Sequence, residues 1–145
     1  MEVSTLDEKL RELVEAAVAV KVNAYCPYSN FRVGAAILCA DGSIYSGCNV
    51  ENASYGLTVC AERVAVTNAV THGRRDIQAV AVSCDIKGDF KGPCGVCRQV
   101  LAEFNLDMDM YLTKPDMTYR KVTLRELLPM AFTPKTLEEE RILTE

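Results

Sequence analysis

The chain has 145 residues, 49% hydrophobic and 25% charged, which is long enough and apolar enough to bury a core without disulfide staples. A formal net charge of −4 argues against a polynucleotide partner, since a nucleic-acid strand selects for a basic patch and the basic residues here are scattered. No apolar stretch reaches the roughly 18 residues of a membrane span, and Met1-Glu2-Val3-Ser4 opens no basic region followed by an apolar run, so neither a membrane anchor nor a signal peptide is expected.

From the N-terminus, Leu6, Leu10, Leu13, Ala17 and Val20 share one stripe and predict a helix over residues 5–24, with Ser4 as its N-cap. Residues 23–30 form a turn region around Pro27. Phe31 to Cys39, the Asp41-Gly42 turn and Ile44 to Val50 read as a strand, a tight turn and an antiparallel strand. Glu51 to Gly56 is a polar loop. A second helix is predicted from Val59 to Val70, ending at His72-Gly73, with His72 capping the last carbonyls. Ile77 to Cys84 is apolar enough for a buried strand. Asp85 to Pro93 is a loop, and Cys94 to Phe104 a third helix. Asp109 to Thr113 and Thr118 to Val122 are strands on either side of a turn at Lys114-Pro115-Asp116. Thr123-Leu124-Arg125-Glu126 fits a capping box for a short helix, and the charged tail from Thr136 to Glu145 reads as a surface helix. The order α-β-β-α-β-α-β-β-α predicts an α/β fold, a mixed sheet with helices on both faces, in one domain over 1–145.

Seven cysteines lack the even spacing of a secreted disulfide scaffold, which points to a reduced, cytoplasmic protein whose thiols are free or metal-bound. Two segments carry chemistry: Cys60-Ala61-Glu62 and Pro93-Cys94-Gly95-Val96-Cys97. Three cysteines leave the fourth position of a tetrahedral zinc open, as catalytic sites do, and Glu62 stands where a proton carrier is needed. Cys60 and Cys94 both open predicted helices. Each helix start contributes roughly +0.5 of partial charge, offsetting a site with three thiolates. Arg63 is a second candidate to neutralise a ligand sulfur by hydrogen bonding. Two other readings stand beside this one. Cys94-x-x-Cys97 can be a thioredoxin-like dithiol. A closed structural zinc would need a fourth ligand from Cys26, Cys39, Cys48, Cys84 or His72.

A Cys or His ligand, one spacer, Glu, and P-C-x-x-C downstream is the zinc-deaminase pattern. With it, the chain resembles the small, homotetrameric, zinc-dependent cytidine deaminases. The resemblance extends over Tyr25 to Ala36, over Gly47-Cys48-Asn49-Val50-Glu51-Asn52-Ala53-Ser54-Tyr55, over Thr113 to Asp116 and over Leu127-Leu128-Pro129. It implies a three-layer α/β/α fold with a mixed five-stranded sheet. It implies hydrolysis of cytidine and 2′-deoxycytidine to the uridine nucleosides and ammonia, in pyrimidine salvage, with one Zn2+ per subunit held by Cys60, Cys94 and Cys97. Glu62 becomes the acid and base; Asn49 and Glu51 grip the ribose; Phe31 packs on the base; the backbone at Ala61 and Pro93 meets its edge. Phe132 and Tyr55 are placed near a neighbouring subunit's site. The implied partner is a small pyrimidine nucleoside, with no nucleic-acid strand and no membrane. Another aminopyrimidine is the alternative substrate. Arg32 stands at a variable family position, and Met117 replaces a common glycine, so a local difference is expected in that turn.

Overall fold

The computed structural model describes residues 1–143. The first helix, α1, spans Glu8–Val20 and is capped by Asp7, whose carboxylate accepts from the Leu10 amide at 3.0 Å. Ser4 is not the cap; it lies in a 3-10 turn, Val3–Thr5. The reason is tertiary. The Val3 amide donates to the Met117 carbonyl at 2.9 Å and the Val3 side chain is buried, so the chain cannot begin the helix until it has left that contact. Asp7 also adds a negative charge that the helix N-terminus favours.

The strands are β1 (Val33–Cys39), β2 (Ile44–Cys48), β3 (Ile77–Cys84), β4 (Asp109–Thr113) and β5 (Tyr119–Thr123). They form one sheet in the order β2-β1-β3-β4-β5, with β3 and β4 parallel and the other pairs antiparallel. The Phe31-Arg32 start predicted for the first strand is irregular, and the second strand ends at Cys48 rather than Val50. Both segments are diverted to the site described below. The remaining helices are α2 (Ala61–Thr71), α3 (Gly95–Ala102), α4 (Leu124–Leu127) and α5 (Pro134–Glu138).

Side chains alternate across β1 and β3, so the sheet has two cores. Ala36, Ala79 and Ala81 meet Leu13, Val14 and Ala17 of α1 on one face. Ile37, Val80 and Val82 meet Ala65, Val66 and Leu101 of α2 and α3 on the other. This is the mixed three-layer arrangement expected from the element order. Two glycines let the layers close. A Cβ on Gly34 would stand 2.0 Å from the Ala17 carbonyl oxygen of α1, and one on Gly47 would stand 2.5 Å from the Ala65 amide of α2. Gly47→Ala is therefore expected to push α2 off the sheet. Because α2 begins beside Cys60 and carries Glu62, we expect a loss of about 1–3 kcal/mol in denaturant unfolding together with a fall in turnover.

The ends of the elements follow local chemistry. His72 Nδ1 donates to the Asn68 carbonyl at 2.8 Å and Gly73 takes a φ of +80°, closing α2 as predicted. Thr123 and Glu126 form the predicted capping box. Met117 adopts a φ of +62°, the conformation for which glycine is favoured, so the turn keeps a glycine-like backbone despite the substitution. Asp116 holds it by accepting from the Thr118 amide and hydroxyl, and the Met117 side chain packs onto the α1-side core. The tail differs from expectation. Pro134 starts α5 early, the helix ends at Glu138, and residues 139–143 are not helical. Residues 144 and 145 of that predicted helix lie outside the described residues. Among the described residues no helix is long and apolar enough to cross a membrane.

Candidate metal centre and active site

Cys60 and Cys94 are the N-cap residues of α2 and α3, both with extended backbone, and neither thiol is used as a helix cap. The two helix starts therefore bring their sulfurs together. Cys60 Sγ is 3.9 Å from Cys94 Sγ, and Cys94 Sγ is 3.4 Å from Cys97 Sγ. Tetrahedral zinc with bonds of about 2.3 Å requires sulfur separations of about 3.8 Å, so the donor set fits that ion. Among the described residues this is the one cluster of three or more potential ligands, and Cys26, Cys39, Cys48, Cys84 and His72 are not in it. The four-cysteine alternative thus lacks its fourth ligand, and Cys60 beside the Cys94-x-x-Cys97 pair is more than a dithiol needs.

The electrostatics favour a thiolate at Cys60. Its pKa is pushed down to about 5, chiefly by the hydrogen bond from Cys97 and then by Arg63. Cys97, which gives that hydrogen bond and is buried, is pushed up. Arg63 Nη2 lies 3.6 Å from Cys60 Sγ and donates to the Thr58 carbonyl at 3.1 Å. Its Nε is buried without a partner. The guanidinium thus lies beside the Cys60 sulfur.

Glu62 sits in the first turn of α2, only 4% exposed, and it lines a cavity of about 360 Å³. Burial pushes its carboxyl pKa up, with the nearby Cys60 charge adding to the effect. The cavity is also lined by Phe31, Asn49, Glu51, Cys60, Ala61 and Cys94. These seven sequence-predicted residues, from four separate segments, thus share one pocket, while Arg63, Cys97 and Phe132 do not line it. Main-chain bonds assemble it: the Asn49 carbonyl accepts from the Tyr25 amide, the Glu51 amide donates to the Tyr25 carbonyl, and Val50 and Val59 exchange a pair of bonds. These stitches draw the 49–51 loop between the 25–30 turn and the approach to Cys60.

Two expected sugar contacts already have work within the chain. Asn49 Oδ1 accepts from the Val33 amide at 2.9 Å, and its Nδ2 donates to the Phe31 carbonyl at 2.8 Å. Glu51 accepts from the Tyr28 and Ser29 amides and the Ser29 hydroxyl, and the Ser29 hydroxyl first of all holds its carboxyl below the usual range. Each side chain keeps further hydrogen-bonding capacity for a ligand. The Pro93 carbonyl accepts from Arg98 Nε at 2.8 Å, which fixes the turn just before Cys94. Phe132 is outside this cavity and 56% exposed, its carbonyl held by Gln99 Nε2 at 2.8 Å. Tyr55 is 74% exposed, its ring edge-on to Tyr28.

The family model for the cytidine and deoxycytidylate deaminase zinc-binding region matches residues 7–113. The chain belongs to that family. It is 48% identical over 128 residues to the cytidine deaminase of Halalkalibacterium halodurans, covering 88% of this chain and 96% of that protein. It is 43% identical over 126 residues to a cytidine deaminase of Mycobacterium tuberculosis, covering 86% of this chain and 90% of that protein. The crystal structure of cytidine deaminase from Burkholderia pseudomallei aligns with a TM-score of 0.80 at 46% identity, covering 83% of this chain and 97% of that one. The family is a zinc-binding one, and the Cys60, Cys94 and Cys97 sulfurs have the spacing to hold that ion.

The sequence did not single out Ser29, Thr58 or Lys91, and it named Cys84 only as a possible fourth zinc ligand; all four line the cavity. For Cys84 a signal existed. It ends a central strand, and open α/β sheets bind ligands outside the carboxyl ends of their strands. Lys91 and Thr58 lie in loops with no pattern of their own.

Proposed function

We propose that the chain hydrolyses cytidine and 2′-deoxycytidine to uridine and 2′-deoxyuridine with release of ammonia. The observation that carries this is a buried carboxylate, Glu62, on the wall of a pocket that Cys60 and Cys94 also line. The pocket volume of about 360 Å³ lies in the range of small-molecule sites. Bound zinc, held by Cys60, Cys94 and Cys97, supplies the Lewis acidity that makes water a nucleophile near neutral pH.

The chain's own residues then do the following. Glu62 accepts a proton from the attacking water and delivers it to ring N3. With C4 tetrahedral, Glu62 takes the second proton from the new C4 hydroxyl and passes it to the 4-amino group; the C4–N bond breaks, ammonia departs and the C4 carbonyl forms. A raised pKa suits a carboxyl that must both take and give a proton. Asn49 and Glu51 orient the sugar, Phe31 packs on the base, and the backbone at Ala61 and Pro93 fixes the base edge. Arg63 offsets the thiolate charge at Cys60. Its replacement in Arg63→Gln is expected to lower zinc affinity or turnover about 10–100-fold, read by metal titration and steady-state kinetics. The direct test is an ultraviolet assay of cytidine loss by the zinc-loaded protein. A net charge of −4 favours a free nucleoside over a strand.

Assembly into a homotetramer is part of the same proposal. Tyr25, Tyr28, Tyr55, Leu57, Met130 and Phe132 are exposed apolar residues, a feature of surfaces that meet another chain. Light scattering should give four times the 16.0 kDa chain mass. Phe132→Ala should raise KM, because Phe132 reaches a neighbouring subunit's site and not its own.

A further inference from the structure

One group of buried charge takes no part in these steps. Lys21, in the turn after α1, is only 7% exposed. Its Nζ lies 2.7 Å from Asp85 Oδ1 and 3.2 Å from Ser83 Oγ. The other Asp85 oxygen, Oδ2, accepts from Arg32 Nε and Nη2, both at 2.8 Å. Val33 pairs with Cys84 at the end of the β1–β3 ladder, so Arg32 and Asp85 are the next facing pair. Here the side chains continue the pairing that the main chain has ended.

The opposite edge of the same segment is held by Asn49, which bonds the Phe31 carbonyl and the Val33 amide. Phe31-Arg32-Val33 is therefore gripped from both sides. Phe31, Val33 and Cys84 line the cavity, and Asp85 begins the loop that leads to Cys94.

Stability alone accounts poorly for this arrangement. Removing a lysine from water is costly, and an apolar pair of similar volume often serves a fold as well or better. An ion pair does supply a fixed direction and length. Lys21, first among the causes, and then Arg32 hold the Asp85 carboxyl below its ordinary pKa, so the hub is ionised at neutral pH.

We propose that Lys21, Asp85 and Arg32 form a positioning clamp for the nucleoside pocket: Lys21 fixes Asp85, and Asp85 acts through Arg32 to hold the Phe31–Val33 wall against which the base packs. The clamp's role in catalysis rests on the deaminase activity proposed above.

Two variants test it in the zinc-loaded protein. Arg32→Ala removes the exposed arm. The double variant Lys21→Met/Asp85→Asn removes the buried lysine charge together with its more exposed partner carboxylate. We expect each to retain its zinc, to raise KM for cytidine about tenfold and to hold kcat within about twofold, the pattern of lost binding rather than lost chemistry. Amide exchange by mass spectrometry should quicken over residues 28–34 relative to β4. A lowered melting temperature with KM and exchange both unchanged would overturn the proposal, leaving the cluster purely structural. If the double variant does not fold, Arg32→Ala decides alone. If the parent protein turns over no cytidine, the deaminase assignment fails, while the exchange measurement still decides whether the clamp orders the wall.

Discussion

Glu62→Gln should leave the protein folded and zinc-loaded and reduce turnover of cytidine by about a thousandfold or more. General acid–base groups contribute typically about 10²–10⁴, and Glu62 is assigned two transfers in one cycle. Glutamine has nearly the same shape, so the first turn of α2 and the cavity wall are preserved. It cannot take a proton from water. Zinc analysis and kinetics on the same sample separate this from metal loss, and activity within about tenfold of the parent would exclude Glu62 as the proton carrier. The substitution should also stabilise the metal-free chain. A carboxyl whose folded pKa is raised by burial binds its proton more tightly folded than unfolded. Stability of the metal-free parent therefore declines as pH rises above the ordinary carboxylate range toward the raised value, and Glu62→Gln removes that decline.

Cys60→Ala, Cys94→Ala and Cys97→Ala are each expected to cost the zinc and, with it, activity to the background of the assay. Each leaves two sulfurs where three are needed for a site with one open position. Cys97 should show the largest loss of stability, because it is fully buried and its partners Cys60 and Cys94 would face a gap. The comparison set is Cys26→Ala, Cys39→Ala, Cys48→Ala and Cys84→Ala, none of which belongs to the sulfur cluster. These should retain about one zinc per chain. Loss of zinc in any of the four would restore the closed, structural site as the better account.

The residues proposed to hold metal and carry protons are legible in the chain because their chemistry is local. A cysteine two residues before a glutamate, combined with two cysteines three apart after a proline, is a pattern with few other uses. Helix and strand order was equally readable, since alternating small apolar residues in β1 and β3 follow the sheet's own period. The rest depends on contacts between distant segments. Nothing in Ser4 or Asp7 announces that Val3 will bond Met117 and delay α1. Asn49 reads as the end of a strand and, by the resemblance, as a ribose contact, yet it is buried and its side chain completes the entry to β1. Lys21 reads as the polar end of a helix, and only the β1–β3 register brings Asp85 and Arg32 to it. Gly34 and Gly47 carry no turn signal, and their role appears only when α1 and α2 approach the sheet.

Every role assigned to the pocket depends on metal-assisted deamination of a pyrimidine nucleoside. It is tested most directly by following the ultraviolet change of cytidine and 2′-deoxycytidine with purified protein, before and after chelation, alongside zinc analysis. Turnover of both nucleosides is expected at about one zinc per chain, abolished by the chelator and restored by added zinc. Zinc-loaded protein that leaves both nucleosides unchanged, or turns over only oligonucleotides, would contradict it.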